Sequence, residues 1–115
     1  MAGARSIPAS AVEEHDKIVG AAWARRVEPI LLRSALGTPV PEVVIAVDPN
    51  RRRQGIGRAL MEALIVCAEE AGEPGLCLTV SDQNLSAVRL YERVGFIALG
   101  ESQAGLVKMV LDLED

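Results

Sequence analysis

The sequence predicts a mixed α/β fold, with one sheet and helices crossing between some of its strands. Three observations lead there. Between positions 42 and 94, apolar runs of strand length alternate with segments whose apolar residues recur at helical spacing. Each of those helical segments ends at a glycine. The last two apolar runs follow each other with only a turn between them, which adds an antiparallel pair. At 115 residues the chain has room for one domain. Half of its residues are apolar and 24% are charged, a balance that favours a packed core over disorder.

The elements follow in order. Residues 1–16 are polar and Ala-rich, with Pro8 and a capping Ser10. They predict an N-terminal arm with at most a short helix, ahead of a domain over 17–115. Lys17 to Val27 (KIVGAAWARRV) reads as a strand, with Gly20 marking a bulge and Trp23 a core residue. Glu28 to Pro41, with Pro29, Gly37, Pro39 and Pro41, is a connection with one helical turn at Ile30 to Ala35. Glu42 to Val47 (EVVIAV) is almost wholly apolar, as in a strand buried on both faces. Asp48 and Pro49 stop it.

From Ile56 to Ala71, the residues Ile56, Leu60, Met61, Leu64, Ile65 and Ala68 form a helical stripe. Gly72 and Pro74 end it. Gly75 to Ser81 is a strand. Asp82 or Asn84 caps a helix over Leu85 to Val94, which stops at Gly95. Phe96 to Gly100 and Leu106 to Leu113 close the chain as a hairpin. The predicted order is β, β, α, β, α, β, β.

Composition removes several function classes. The net charge is −4 and aromatics make up 3% of residues, which argues against nucleic acid. No apolar run has the length of a membrane span, and residues 1–17 hold no apolar signal core. Cys67 and Cys77 stand in apolar surroundings and read as buried thiols rather than a disulfide or a metal pair. The single histidine, His15, lies between Glu14 and Asp16 and reads as a solvated residue. No metal is expected, and the expected location is cytoplasmic.

Against this acidic background, four of the twelve cations fall within eight residues: Arg51, Arg52, Arg53 and Arg58. They surround a glycine-containing loop between a buried strand and a helix. A helix start carries unpaired N–H groups and about half a positive charge. Gly55 and Gly57 let the backbone curl close to a ligand. Arginines add bidentate contacts to phosphate. The combination is a cradle for a small anion. It is not the nucleotide P-loop G-x-x-x-x-G-K-[ST], which is absent. It is not the dinucleotide fingerprint, whose third glycine is missing. The pattern that fits is [Q/R]-x-x-G-x-[G/A], here Arg52-Arg53-Gln54-Gly55-Ile56-Gly57.

VVIAVDPNRRRQGIGRALMEAL resembles the acetyl-CoA-binding motif of the GCN5-related N-acetyltransferase (GNAT) superfamily. NLSAVRLYERVGF is similar to that family's second signature, N-x-x-A-x-x-L-Y-x-x-x-G-F. It matches at Asn84, Ala87, Leu90, Tyr91, Gly95 and Phe96. The resemblance implies a GNAT-like acyltransferase fold with acetyl-CoA as co-substrate. It implies that the pyrophosphate rests on amides around Arg52, Arg53, Gln54, Gly55, Ile56, Gly57 and Arg58. It implies a strand before the loop that bulges and splays from its neighbour, so that the backbone of Ile45, Ala46 and Val47 pairs with the cofactor arm. Asn84 matches a residue that contacts the arm, and Tyr91 the acid that protonates the departing thiolate. For the base two readings stand: Glu42, the carboxylate on the strand leading to the loop, or a water-relayed proton.

The implied reaction is acetyl transfer from acetyl-CoA to a primary amine, on a small molecule or a peptide. The alternative is a non-catalytic acyl-CoA-binding or regulatory module. One departure stands out. The family's fold begins with a strand and two helices before the strand matched by Lys17 to Val27, and sixteen residues cannot supply them. A sheet face left uncovered in this way implies association, with a second copy (a homodimer) or another chain.

Overall fold

Nine segments form the sheet, its two helices and one short turn of 3-10 helix. They are β1 (Ser6–Glu14), β2 (Lys17–Arg25), β3 (Glu42–Val47), the turn Pro49–Arg51, α1 (Ile56–Glu70), β4 (Gly75–Ser81), α2 (Leu85–Arg93), β5 (Ile97–Ala98) and β6 (Leu106–Asp112). This computed structural model describes residues 6–14, 17–25, 32, 37, 39–51 and 55–114. His15, the helical turn expected at Ile30 to Ala35, and Arg52, Arg53 and Gln54 lie outside the described residues.

The strand order is β1-β2-β3-β4-β6-β5. Among the described strands, β3 and β4 pair in parallel and the other four contacts are antiparallel. The mixed α/β fold expected from the sequence is therefore present, with one correction at its start. Residues 6–14 are not an arm with a short helix. They form β1, an edge strand pairing with β2 from Ser6↔Arg25 to Glu14↔Lys17. The register slips between Ile7 and Ser10, around Pro8, which has no N–H to give to a ladder. Of this strand, Val12 packs against the core. The segment itself, SIPASAVEE, has only Ile7 and Val12 as large apolar residues, which leaves little alternation for a sequence reading to find.

The register also locates the bulge expected near Gly20. Val12 pairs with Gly20 and Glu13 with Ile18, so Val19 is the extra residue. Gly20 has a different task. A Cβ there would lie 3.0 Å from Ile56 Cγ2 and 3.1 Å from Leu60 Cδ1, so its absence lets α1 settle on β2.

Right-handed crossovers place α1 and α2 on the same face of the sheet. Leu60, Met61, Leu64 and Ala68 of α1 bury against Ala22, Ala24, Val43, Leu76, Leu78 and Met109. These are the stripe residues expected from the sequence; Ile56 and Ile65 flank the cluster. Alternation along the strands sends the side chains of Trp23, Glu42, Val44, Cys77, Thr79 and Lys108 to the opposite face. Trp23 is half-buried there, not in the core as expected. Ile97 (63% exposed) and Leu106 (49%) share that face.

Candidate functional site

Strand β3 has two edges, and they are used differently. Toward β2 all six residues are in register, from Gly20↔Val47 to Arg25↔Glu42, with no bulge of the kind the resemblance implied. Toward β4 the ladder holds one pair, Glu42↔Cys77, after which the strands splay.

The parity of β3 says which groups face the gap. The Asp48 N–H donates to the Val19 carbonyl at 2.7 Å, so position 48 faces β2. Antiparallel pairing alternates sides, so Glu42, Val44 and Ala46 also face β2 with their backbone groups. Val43, Ile45 and Val47 therefore face β4. The far end agrees, because the Pro41 carbonyl, of the same parity, accepts from the Cys77 N–H at 3.0 Å. Past that apex, no described strand pairs with the N–H and C=O of Ile45 and Val47. Ala46 differs from the expectation, since its backbone is used by β2 through Ala21.

The apex is closed by buried groups. Pro41 and Cys77 are fully buried and Val40 nearly so. The Cys77 thiol lies 3.5 Å from the Pro41 carbonyl oxygen and 3.6 Å from that of Val40, and donates to them. Burial, and then the nearby Glu42 carboxylate, push its pKa up to about 11, with Lys108 acting in the opposite sense. This thiol is a packing and donor group, not a nucleophile. Both cysteines are free; Cys77 is buried as expected, whereas Cys67 is only partly buried.

The splayed edge leads to the start of α1. Asp48 folds the connection: its carboxylate accepts from the Asn50 N–H at 2.9 Å and its carbonyl from the Arg51 N–H at 2.8 Å. Gly55 then takes the N-cap position with φ +78°, a left-handed backbone that an L side chain adopts at a cost. It brings no side-chain cap, and the first turn of α1 carries no acidic residue. Among the described residues the space around Gly55 is open: a Cβ there would meet no heavy atom of theirs within 4 Å. Gly57 is unlike Gly55. A Cβ on it would stand 3.2 Å from Leu90 Cδ2, so its smallness serves the contact between α1 and α2. Arg58, exposed in the first turn, donates from Nε to Glu62 Oε1 at 2.8 Å. Its i,i+4 spacing made that pair readable in the sequence, and the sequence reading missed Glu62.

Asn84 sits at the N-cap of α2, where its Oδ1 accepts from the Ala87 N–H at 3.3 Å. Its amide N–H groups are not used by that cap. Asp82, the other expected cap, serves elsewhere. Its N–H donates to the Gly105 carbonyl, and its carboxylate accepts from Ser102 Oγ at 3.1 Å. It thus ties the β5–β6 turn to the start of α2.

Tyr91 lies in the core cluster, 8% exposed, its ring tilted 58° to that of Phe96 with centroids 5.9 Å apart. Burial pushes its pKa above the ordinary value of 10.0, so the phenol stays protonated across the neutral range. Among the described residues its hydroxyl has no hydrogen-bond partner. Tyr91 and Glu42 belong to opposite faces of the sheet, the first on the helix-covered side and the second on the other. Among the described residues there is no group of three or more His, Cys, Asp or Glu able to hold a metal ion. No described helix is long and apolar enough to cross a membrane.

Residues 3–96 match the model of the acetyltransferase (GNAT) family. The chain belongs to that family. The match begins at residue 3, ahead of β1, and so takes in the whole of that strand. Over 52 residues, 45% of this chain, the sequence is 52% identical to the ribosomal protein bS18-alanine N-acetyltransferase of Escherichia coli K12. That stretch is 35% of the relative's length. A peptidyl-lysine N-acetyltransferase of Salmonella typhimurium is 40% identical over 57 residues, 50% of this chain and 36% of that one.

Among solved structures, an N-acetyltransferase of Staphylococcus aureus superposes with TM-score 0.79 at 25% identity, covering 93% of this chain and 68% of its own. A putative acetyltransferase of Salmonella typhimurium, solved with its cofactor acetyl-CoA, has the same fold. Its TM-score is 0.76 at 23% identity, covering 94% and 65% of the two chains.

Proposed function

We propose that this chain is an acetyl-CoA-dependent N-acetyltransferase that acts on a primary amine of a protein or peptide. One observation carries the reading. The backbone of Ile45 and Val47, with which no described strand pairs, lies ahead of an α1 start whose N-cap residue, Gly55, brings no capping side chain. A peptide-like pantetheine arm supplies the hydrogen bonds that β4 does not. A pyrophosphate supplies the negative charge that the helix start lacks. Family membership and the similarity to acetyltransferases of known acceptors support the same reading.

In this reading the acceptor nitrogen, as a neutral amine, attacks the thioester carbonyl. The N–C bond forms, the C–S bond breaks, and the departing thiolate takes the Tyr91 proton. The amine's own proton leaves to Glu42 or to a water that Glu42 orients, on the helix-free face. Arg52, Arg53 and Gln54 extend the phosphate cradle, and Asn84 offers its amide N–H groups to a carbonyl of the arm. The acceptor class follows the two relatives, which by name act on an alanine of ribosomal protein bS18 and on a peptidyl lysine. The net charge of −4 attracts a cationic amine.

Calorimetric titration with acetyl-CoA tests the cofactor half, with micromolar affinity expected. No measurable heat or competition would overturn it. Incubation with an alanine-terminated peptide, a lysine peptide and small amines tests the acceptor half. Binding without transfer to any of them leaves an acyl-CoA-binding module instead.

Two further expectations belong here. Free cysteines suit a reducing compartment, hence the cytoplasm, which fractionation checks. The exposed Ile97 and Leu106 suit a homodimer, and light scattering that shows only monomer at high concentration removes it.

A further inference from the structure

We propose that Glu62 tunes acyl-CoA affinity by holding Arg58, and that Arg58 leaves Glu62 for a phosphate when the ligand arrives. The inference rests on the acyl-CoA reading above. The pair is well formed, with Arg58 Nε 2.8 Å from Glu62 Oε1, yet both side chains are well exposed, at 59% and 57%. An exposed pair of this kind is held weakly and is exchanged easily. A pyrophosphate carries two negative charges against the carboxylate's one and accepts the same planar fork of donors.

Position makes the exchange plausible in energy and in direction. Arg58 lies in the first turn of α1, three residues past the Gly55 N-cap. No acidic residue occupies that turn, so Glu62 is the first carboxylate along the helix. At 1.5 Å of rise per residue, Glu62 stands about 10 Å along the axis from Gly55. That is roughly one Debye length at physiological salt, so its direct repulsion of a bound phosphate is largely screened. Its influence therefore passes through Arg58. In the free protein the guanidinium is neutralised and aimed along the helix; in the complex it turns back to the cradle. Glu62 thus keeps the site from binding anions as tightly as its backbone alone allows.

The test is calorimetry on the full chain with two probes, CoA and pantetheine, which has the arm without the phosphates. Glu62→Gln is expected to bind CoA about two- to fivefold more tightly than the parent. The gain shrinks as salt rises, and it is absent when Arg58→Gln is present as well. Pantetheine binding is unchanged. Glu69→Gln, which removes the same charge at the far end of α1, leaves CoA affinity as it was. The proposal is overturned if Glu62→Gln binds CoA no more tightly. It is equally overturned if the gain survives in the Arg58→Gln background, extends to pantetheine, or is matched by Glu69→Gln. Failure of the parent chain to bind CoA overturns both this proposal and the acyl-CoA reading, an outcome distinct from binding that Glu62→Gln leaves unaltered.

Discussion

Helix α2 closes its own start, with Asn84 Oδ1 accepting the Ala87 N–H, whereas α1 begins at Gly55, which has no side chain to offer. Both helices follow a strand of the same sheet, and both leave N–H groups unpaired by the helix itself. In α2 the chain answers that need locally, so this start can hold its shape with no ligand. In α1 the N-cap residue gives no such answer, and no described strand pairs with the nearby edge of β3 past Glu42. On the proposed reading, the difference separates a structural helix start from a binding one more clearly than the count of arginines does. It also divides labour: α1 offers charge and N–H groups, and α2 carries the buried phenol of Tyr91.

The largest expected effect tests that division. Tyr91→Phe keeps the ring against Phe96 and removes only the hydroxyl. Acetyl transfer should slow about a hundredfold while acetyl-CoA affinity holds. A parallel loss of affinity would mean that the Tyr91 hydroxyl holds the cofactor as well as giving it a proton.

Gly55→Ala comes next. Forcing a side chain into the left-handed backbone costs about 1–2 kcal/mol, read as a lower urea midpoint. If the turn shifts to relieve the strain, CoA affinity falls by about tenfold. Unchanged affinity would show that the α1 start is not where the phosphates rest.

Asn84 sharpens the other side. Asn84→Ala removes the cap of α2 and should lower stability by about 1 kcal/mol. Asn84→Ser keeps a capping oxygen but loses the amide N–H groups. It should keep the stability and weaken CoA binding slightly, which separates capping from contact with the arm.

The smallest effect concerns the apex from which the splayed strands diverge. The folded Cys77 thiol has its pKa raised from 9.0 to about 11. Its contribution to stability is therefore complete below pH 9 and is lost as pH rises toward and through about 11. Cys77→Ala should flatten the fall in stability over that window, as read by urea unfolding at successive pH values. A slope identical to the parent's would assign the alkaline loss to other groups, Tyr91 among them.

Much of the fold was legible because its signals are local. The stripe of α1, the apolar run of β3, the glycine stops and the last antiparallel pair each need only neighbouring residues. So do the two motifs by which the chain resembles its family. Strand β1 was not legible. Its place comes from pairing along β2, and just one of its described side chains, Val12, packs against the core. Gly57 looked like a ligand glycine until Leu90, thirty-three positions away, proved to be its neighbour. Trp23 looked like core because it is large and apolar, while the sheet turned its parity to the face opposite α1 and α2.

The sequence by itself thus determined the order of the later elements, the loop that opens α1 and the chemistry available in Tyr91 and the arginines. Local propensity and spacing are properties of adjacent residues. Tertiary structure alone decided that β3 pairs fully with β2 and once with β4. It also decided that Ile45 and Val47 rather than Ala46 face the gap, and that Tyr91 and Glu42 lie on opposite sides of the sheet. These depend on strand register, which links residues far apart in the chain, and a register one residue away would have exchanged every face.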